Sequence, residues 1–302
     1  MVDAHLHLVN FLLQGPSPHE VISGLDRAGV GRAVVFGMAV KKKWAIYEPL
    51  EPSYYLDDNA PCIYYSLTDQ IVADLVLELP PEQQRRLAPL VCGFDPTDRF
   101  AVVDLERMWN KYPFWRGVGE LLLRHDDLTN LTQGETARIN HPALDEVLAF
   151  CREHDCPISV HQDHSSPGRP RVREYVGEMT ETLNRHPGTN VVWCHAGGDR
   201  RLDPHQVAGF VGEMLDRYAS LHIDISWVLF DRAVCPDGLP NPEWVTLIGR
   251  HSDRFVIGSD AVGDMERQAS SMNGFVPLLD ALDATAREHV SHINAERLWF
   301  DV

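Results

Sequence analysis

His5 and His7 stand one residue apart in the opening segment Met1-Val2-Asp3-Ala4-His5-Leu6-His7-Leu8. On an extended strand side chains repeat every two residues, so both imidazoles face the same way and can grip one divalent cation. The pair is weak by itself. With 15 His in 302 residues, a His-x-His arises by chance roughly 0.7 times per chain. It gains meaning from Glu120, His161, His195 and Asp260, each of which closes a later apolar run. Neutral imidazoles and carboxylates suit Zn²⁺, and also Mn²⁺ or Fe²⁺. A cation with an open position holds a water and lowers its pKa towards about 7. Asp260 beside that water could take its proton and return it to a leaving group. Glu120 could bridge two cations, and six filled positions favour two ions over one.

Taken singly, each residue has an ordinary explanation. Glu120 could be a capping or salt-bridging carboxylate, His161 and His195 satisfied core histidines, and Asp260 the cap of the next helix. Burying several ionisable groups together costs several kcal/mol unless they pair or hold a metal. The joint reading therefore prevails over four separate accidents.

Strand-like and helix-like segments alternate along nearly the whole chain, the pattern of parallel βαβ units. Strands are expected at residues 2–8, 33–39, 89–94, 115–120, 157–161, 190–195, 221–225 and 255–260, with helical sequence after each. Eight such units make a (β/α)₈ TIM barrel of class α/β, whose catalytic groups sit at the carboxyl ends of the strands. Alternation puts Asp3, His5 and His7 in one inward row, and Val191, Trp193 and His195 in another, with Cys194 turned out. Residues 41–68 read as a long loop insertion, which either covers a site or is a surface excursion. A helix is expected from Thr68 or Asp69 onward. No linker or internal repeat divides residues 1–302, so one domain is expected.

The formal net charge of −17 disfavours nucleic acid and anionic membrane surfaces as partners, leaving a small-molecule substrate. No run of about 20 apolar residues suggests a membrane span. The first strand leaves no room for a signal peptide, and six cysteines without a Cys-x-x-Cys read as reduced thiols, so a cytoplasmic protein is expected. Loop arginines Arg124, Arg173 and Arg200 could hold a substrate carboxylate or phosphate, although solvated loop charge is the commoner role of such residues. Trp227 and Trp44 could form an apolar wall or simply pack. Whether the chain forms a homo-oligomer stays open.

The order His-x-His, Gly-x-Gly-Glu, two strand-end histidines and Gly-Ser-Asp resembles the amidohydrolase superfamily. More narrowly it is similar to the amidohydrolase-related ("amidohydrolase 2") branch, down to Asn294-Ala295-Glu296-Arg297-Leu298. That resemblance implies that His5, His7 and Asp260 bind a buried metal, and that His161 and His195 bind a second one or contact substrate. Glu120 matches the bridging acid of TatD-like nucleases, where other relatives use a carboxylated Lys. The implied activity is metal-dependent hydrolysis of an ester, lactone, amide or phosphoester bond, with Asp260 and His195 catalytic. The alternative is a metal-dependent nonoxidative decarboxylase of the same branch, against which Glu120 alone speaks. A phosphoesterase of the polymerase-and-histidinol-phosphatase type would need Asp-x-His where Asp260-Ala261-Val262 stands. A noncatalytic ligand-binding barrel would not need the full ligand set.

Overall fold

The computed structural model describes residues 1–11, 13–40, 65–125, 128–129, 135–166, 169, 171–198, 200 and 203–300. Its strands are β1 (Val2–His7), β2 (Arg32–Phe36), β3 (Leu87–Val91), β4 (Gly117–Leu123), β5 (Ile158–Gln162), β6 (Val191–Cys194), β7 (Leu221–Asp224), β8 (Phe255–Val256) and β9 (Ala261–Val262). All pair in parallel in chain order, except that β9 returns to β1. β8 and β9 are two ends of one eighth barrel strand. Between them Ile257 O accepts from Ala4 N at 2.8 Å, and Asp260 N donates to His5 O at 2.9 Å. The ring thus closes into a (β/α)₈ barrel of the expected class.

The long helices are α1 (Pro18–Arg27), α2 (Tyr65–Glu78), α4 (Ala101–Lys111), α5 (Ala143–Glu153), α6 (Val176–Arg185), α7 (Val207–Arg217), α9 (Pro242–Arg250) and α10 (Met265–Gly274). Shorter turns are α3 (Pro81–Gln84), α8 (Trp227–Leu229), α11 (Val276–Ala281), α12 (Ala284–Glu288) and α13 (Asn294–Trp299). In α1, the Ser17 side chain accepts from Glu20 N while the Glu20 carboxylate accepts from Ser17 N, a reciprocal cap. Val21, Ile22 and Leu25, at helical spacing, then bury against the barrel. None of the described helices is long and apolar enough to cross a membrane.

Several local expectations give way to tertiary context. α2 begins at Tyr65, ahead of the expected Thr68, and residues 41–64, with Trp44 and Cys62, lie outside the described residues. β4 runs on through Leu121-Leu122-Leu123, so Glu120 lies within the strand and not at its end. The β1–β2 register slips between Asp3 and Leu6. Asp3 therefore turns from the row of His5 and His7 and accepts from Gln268 of α10 at 3.0 Å and from Ser259 N at 2.9 Å. Trp193 faces the helices, packing edge-on against Phe210 of α7 at 5.9 Å. Cys194, expected to point outward, lies within 4.8 Å of ligand atoms of His5 and Asp224. His195 leaves β6 with φ 55°, which ends the two-residue alternation on which that expectation stood.

Candidate active site

The six residues read from the sequence as metal ligands meet at the carboxyl-end mouth of the barrel. His5 and His7 from β1 bring their Nε2 atoms to 3.3 Å of each other. Glu120 Oε2 lies 3.6 Å and 3.3 Å from these nitrogens, and Asp260 Oδ1 lies 3.2 Å and 3.4 Å from them. These four atoms form one nest. Glu120 Oε1 belongs to a second, 3.5 Å from His161 Nδ1 and 3.8 Å from His195 Nε2. Asp260 Oδ2 faces the same His195 nitrogen at 3.8 Å.

The backbone is bent to achieve this. Asp260 (φ 45°), His195 (φ 55°) and Trp227 (φ 53°) all sit in the left-handed region, which costs a non-glycine residue about 1–3 kcal/mol. Two glycines make the close approaches. A Cβ on Gly258 would fall 2.4 Å from His5 Cβ, and one on Gly119, next to Glu120, 2.5 Å from Ser159 O. No side chain fits at either position.

Each imidazole is held from behind through its other nitrogen. His5 Nδ1 pairs with Asp224 Oδ2 at 2.7 Å, His7 Nδ1 with Gly37 O at 2.8 Å, and His161 Nε2 with Asp163 Oδ1 at 2.9 Å. His195 Nδ1 meets Ser226 Oγ at 3.0 Å. Such outer partners fix ring orientation and raise ligand basicity. Asp224, Asp163 and Ser226 were not singled out in the sequence. Asp163 follows His161 at the strand period, and Asp224 closes the run Leu-His-Ile-Asp, so both carried a readable signal.

The electrostatics ask for positive charge. Burial alone would discharge His5, but the Glu120, Asp260 and Asp224 carboxylates outweigh it and lift its pKa well above the ordinary imidazole value. Burial is likewise overcome at His161, which Asp163 and Glu120 raise to about 10. Burial would raise Glu120 and Asp260, yet His5 and the neighbouring histidines hold both below the usual carboxylate range. At His195 burial prevails and lowers the pKa to about 4, so that ring is neutral at physiological pH.

A cavity of about 370 Å³ opens over the two nests, lined at one end by His7, Glu120, His161, His195 and Asp260. Its walls include His125, which the sequence places beside Arg124 just beyond Glu120 as a possible substrate contact; its ring lies 4.4 Å from that of His161. Trp227 lines the cavity with its ring 5.1 Å from that of His195. Of the three arginines expected at the substrate, only Arg200 lines this cavity, its guanidinium 5.1 Å from the Trp227 ring. Arg124 is held instead by Glu178 of α6 and the face of Tyr175. Arg173 lies on an outer groove, donating to Gln206 O and stacking on Phe210. Both miss the pocket because the loops that carry them fold back onto the helical layer, where a carboxylate and aromatic faces are nearer. Arg267 of α10 lines the cavity and was not foreseen.

Residues 2–300 match the amidohydrolase family model. The chain belongs to the amidohydrolase family. No curated protein matches this amidohydrolase by sequence. Solved structures of similar fold include a probable 2-pyrone-4,6-dicarboxylic acid hydrolase from Acinetobacter baumannii with citric acid bound. It is 14% identical, with TM-score 0.58 and 98% of each chain covered. An amidohydrolase from Burkholderia multivorans with bound zinc is 13% identical, with TM-score 0.57 and 98% of each chain covered. A 4-oxalomesaconate hydratase from Rhodopseudomonas palustris is 11% identical, with TM-score 0.57, covering 99% of this chain and 95% of its own.

Amidohydrolases typically use divalent metals, and the residues of this amidohydrolase fit one. Four tetrahedral ligands at about 2.0–2.1 Å from a cation stand about 3.3 Å apart, and the two imidazoles of the first nest lie 3.2–3.6 Å from each other and from its carboxylate oxygens. The buried Glu120 Oε1 has no hydrogen-bond partner. A buried carboxylate oxygen left so is costly unless a cation meets it.

Proposed function

We propose that this protein is a metal-dependent hydrolase acting on an ester, lactone, amide or phosphoester bond of a small molecule. The observation that carries the reading is Glu120, buried, with one oxygen in each nest. The histidines and Asp260 alone would serve decarboxylation equally; a carboxylate shared between two nests favours the use of water. The names of two fold neighbours, a hydrolase and a hydratase, both describe reactions that consume water.

His5, His7, Glu120 and Asp260 would hold one divalent cation, and Glu120, His161 and His195 a second. Zn²⁺ suits these donors, as do Mn²⁺ and Fe²⁺. When bound, such a cation supplies Lewis acidity to the scissile oxygen and lowers the pKa of nearby water. Asp260 directs Oδ2 away from the first nest and towards His195. That oxygen takes the proton of the attacking water and returns it to the leaving atom. His195, neutral because it is buried, presents a lone pair at neutral pH. Trp227 screens this end of the cavity from bulk water and strengthens the charge interactions within it.

The test is to offer the protein, purified without chelator, two substrate panels. Proton release from esters and lactones is expected, and loss of that release in Asp260→Asn. Carbon dioxide release from carboxylated aromatics, with no ester or lactone cleavage, would overturn the hydrolase reading in favour of decarboxylation.

A further inference from the structure

The walls of the cavity divide by chemistry. The titratable residues gather at the deep end. On another side Met38, Val40, Leu122 and Leu128 form an apolar cluster separate from the barrel core, with Phe11 and Val262 packed against it. All of these except Val40 line the cavity. Side chains that add nothing to the main core but face a cavity are placed to meet an apolar ligand surface. Trp227 supplies the aromatic face, held over His195 and His161.

At the rim stands Arg267, in the first turn of α10. It lines this cavity and also an adjoining crevice with Trp227, Asp231 and Ser259. Among the described residues its side chain makes no hydrogen bond or ion pair. Other arginines of this acid-rich chain find carboxylates: Arg124 has Glu178, Arg185 has Asp145, Arg250 has Asp216 and Arg287 has Asp280. Asp231 attracts this guanidinium from beyond ion-pair distance, and with no internal hydrogen bond its planar fork is left to match a ligand carboxylate. Arg267 offers one planar fork at this rim, which accounts for one carboxylate on the ligand.

We infer that the substrate is an amphipathic monocarboxylate, with its carboxylate on Arg267 and its apolar body between Trp227 and the Met38–Leu122–Leu128 wall. This rests on the hydrolase reading only in taking the cavity as the substrate site. The test is titration calorimetry of the protein, purified without chelator, with 3-phenylpropionate, its neutral amide and phenyl phosphate. The carboxylate should bind about tenfold more tightly than the amide and more tightly than the phosphate. In Arg267→Gln the preference over the amide should fall to within about twofold, and Arg267→Lys should restore part of it. Three results would overturn the inference: an undiminished preference in Arg267→Gln, tighter binding of the phosphate, or no measurable binding of the carboxylate. Ester and lactone turnover is measured separately. Failure of turnover with the Arg267-dependent preference intact would remove only the hydrolase reading. Turnover without that preference would remove only this inference.

Discussion

The two nests share Glu120 but are built differently. The first lies between β1 and the eighth strand, which are locked together by the Asp260 N to His5 O hydrogen bond at 2.9 Å. Its imidazoles stand 3.2–3.6 Å from each other and from its carboxylate oxygens, and both are held from behind at 2.7–2.8 Å. The second draws one ligand each from β4, β5 and the turn after β6. Its carboxylate–imidazole separations are 3.5 and 3.8 Å, and the outer contact of His195 is 3.0 Å to a hydroxyl. Four donors, three of them on β1 and the eighth strand and Glu120 reaching across from β4, close more of a cation's coordination shell than the three that neighbouring strands β4, β5 and β6 supply. The first nest should therefore bind a cation more tightly than the second.

The largest expected effect is at Asp260, which gives one oxygen to that nest and turns the other towards His195. Asp260→Asn keeps the shape of the side chain but removes the charge and the proton acceptor, so ester turnover should fall by about 10²–10⁴-fold. Circular dichroism should show the fold unchanged. A variant retaining a tenth or more of the rate would remove Asp260 from the chemistry.

Metal content sharpens the contrast next. Protein purified without chelator should carry about one or two ions per chain by elemental analysis. His161→Ala should lose only the ion of the second nest, whereas His7→Ala should lose the first. Equal losses from the two variants would show that the nests do not bind independently.

Outer-layer changes should be smaller. Asp224→Asn acts through His5 and should weaken the tighter site about 10–100-fold, measured by competition with a chromophoric chelator. Asp163→Asn should act on the weaker site alone, so its effect on the first ion should be slight. If Asp163→Asn matched Asp224→Asn at the first ion, the distinction between the nests would fail.

The smallest effect lies away from the mouth. Burial, helped by Arg254 and Arg297, lowers the pKa of His222 on β7 to about 3. The folded protein then binds fewer protons than the unfolded chain between that value and about 6.5, so acid favours unfolding. His222→Gln should lose fewer degrees of Tm between pH 7 and pH 5 than the parent. An identical loss would show that the acid sensitivity does not arise at His222.

The sequence by itself determined the barrel and which six side chains gather at its mouth. Apolar runs ending in His or Asp at regular intervals carry both signals locally, in residue type and period. His5, His7, Glu120, His161, His195 and Asp260 do converge. Alternation failed where strands slip or turn, at Asp3 and at Trp193–Cys194, because a register shift and a left-handed residue are set by the neighbouring strand. Loop charge was likewise ambiguous. Arg124, Arg173, Arg200 and Arg267 are the same residue type near the same face, yet only the last two line the cavity. Only the tertiary structure decided that, because a long cation settles wherever the folded chain brings a carboxylate, a carbonyl or an aromatic face within its reach.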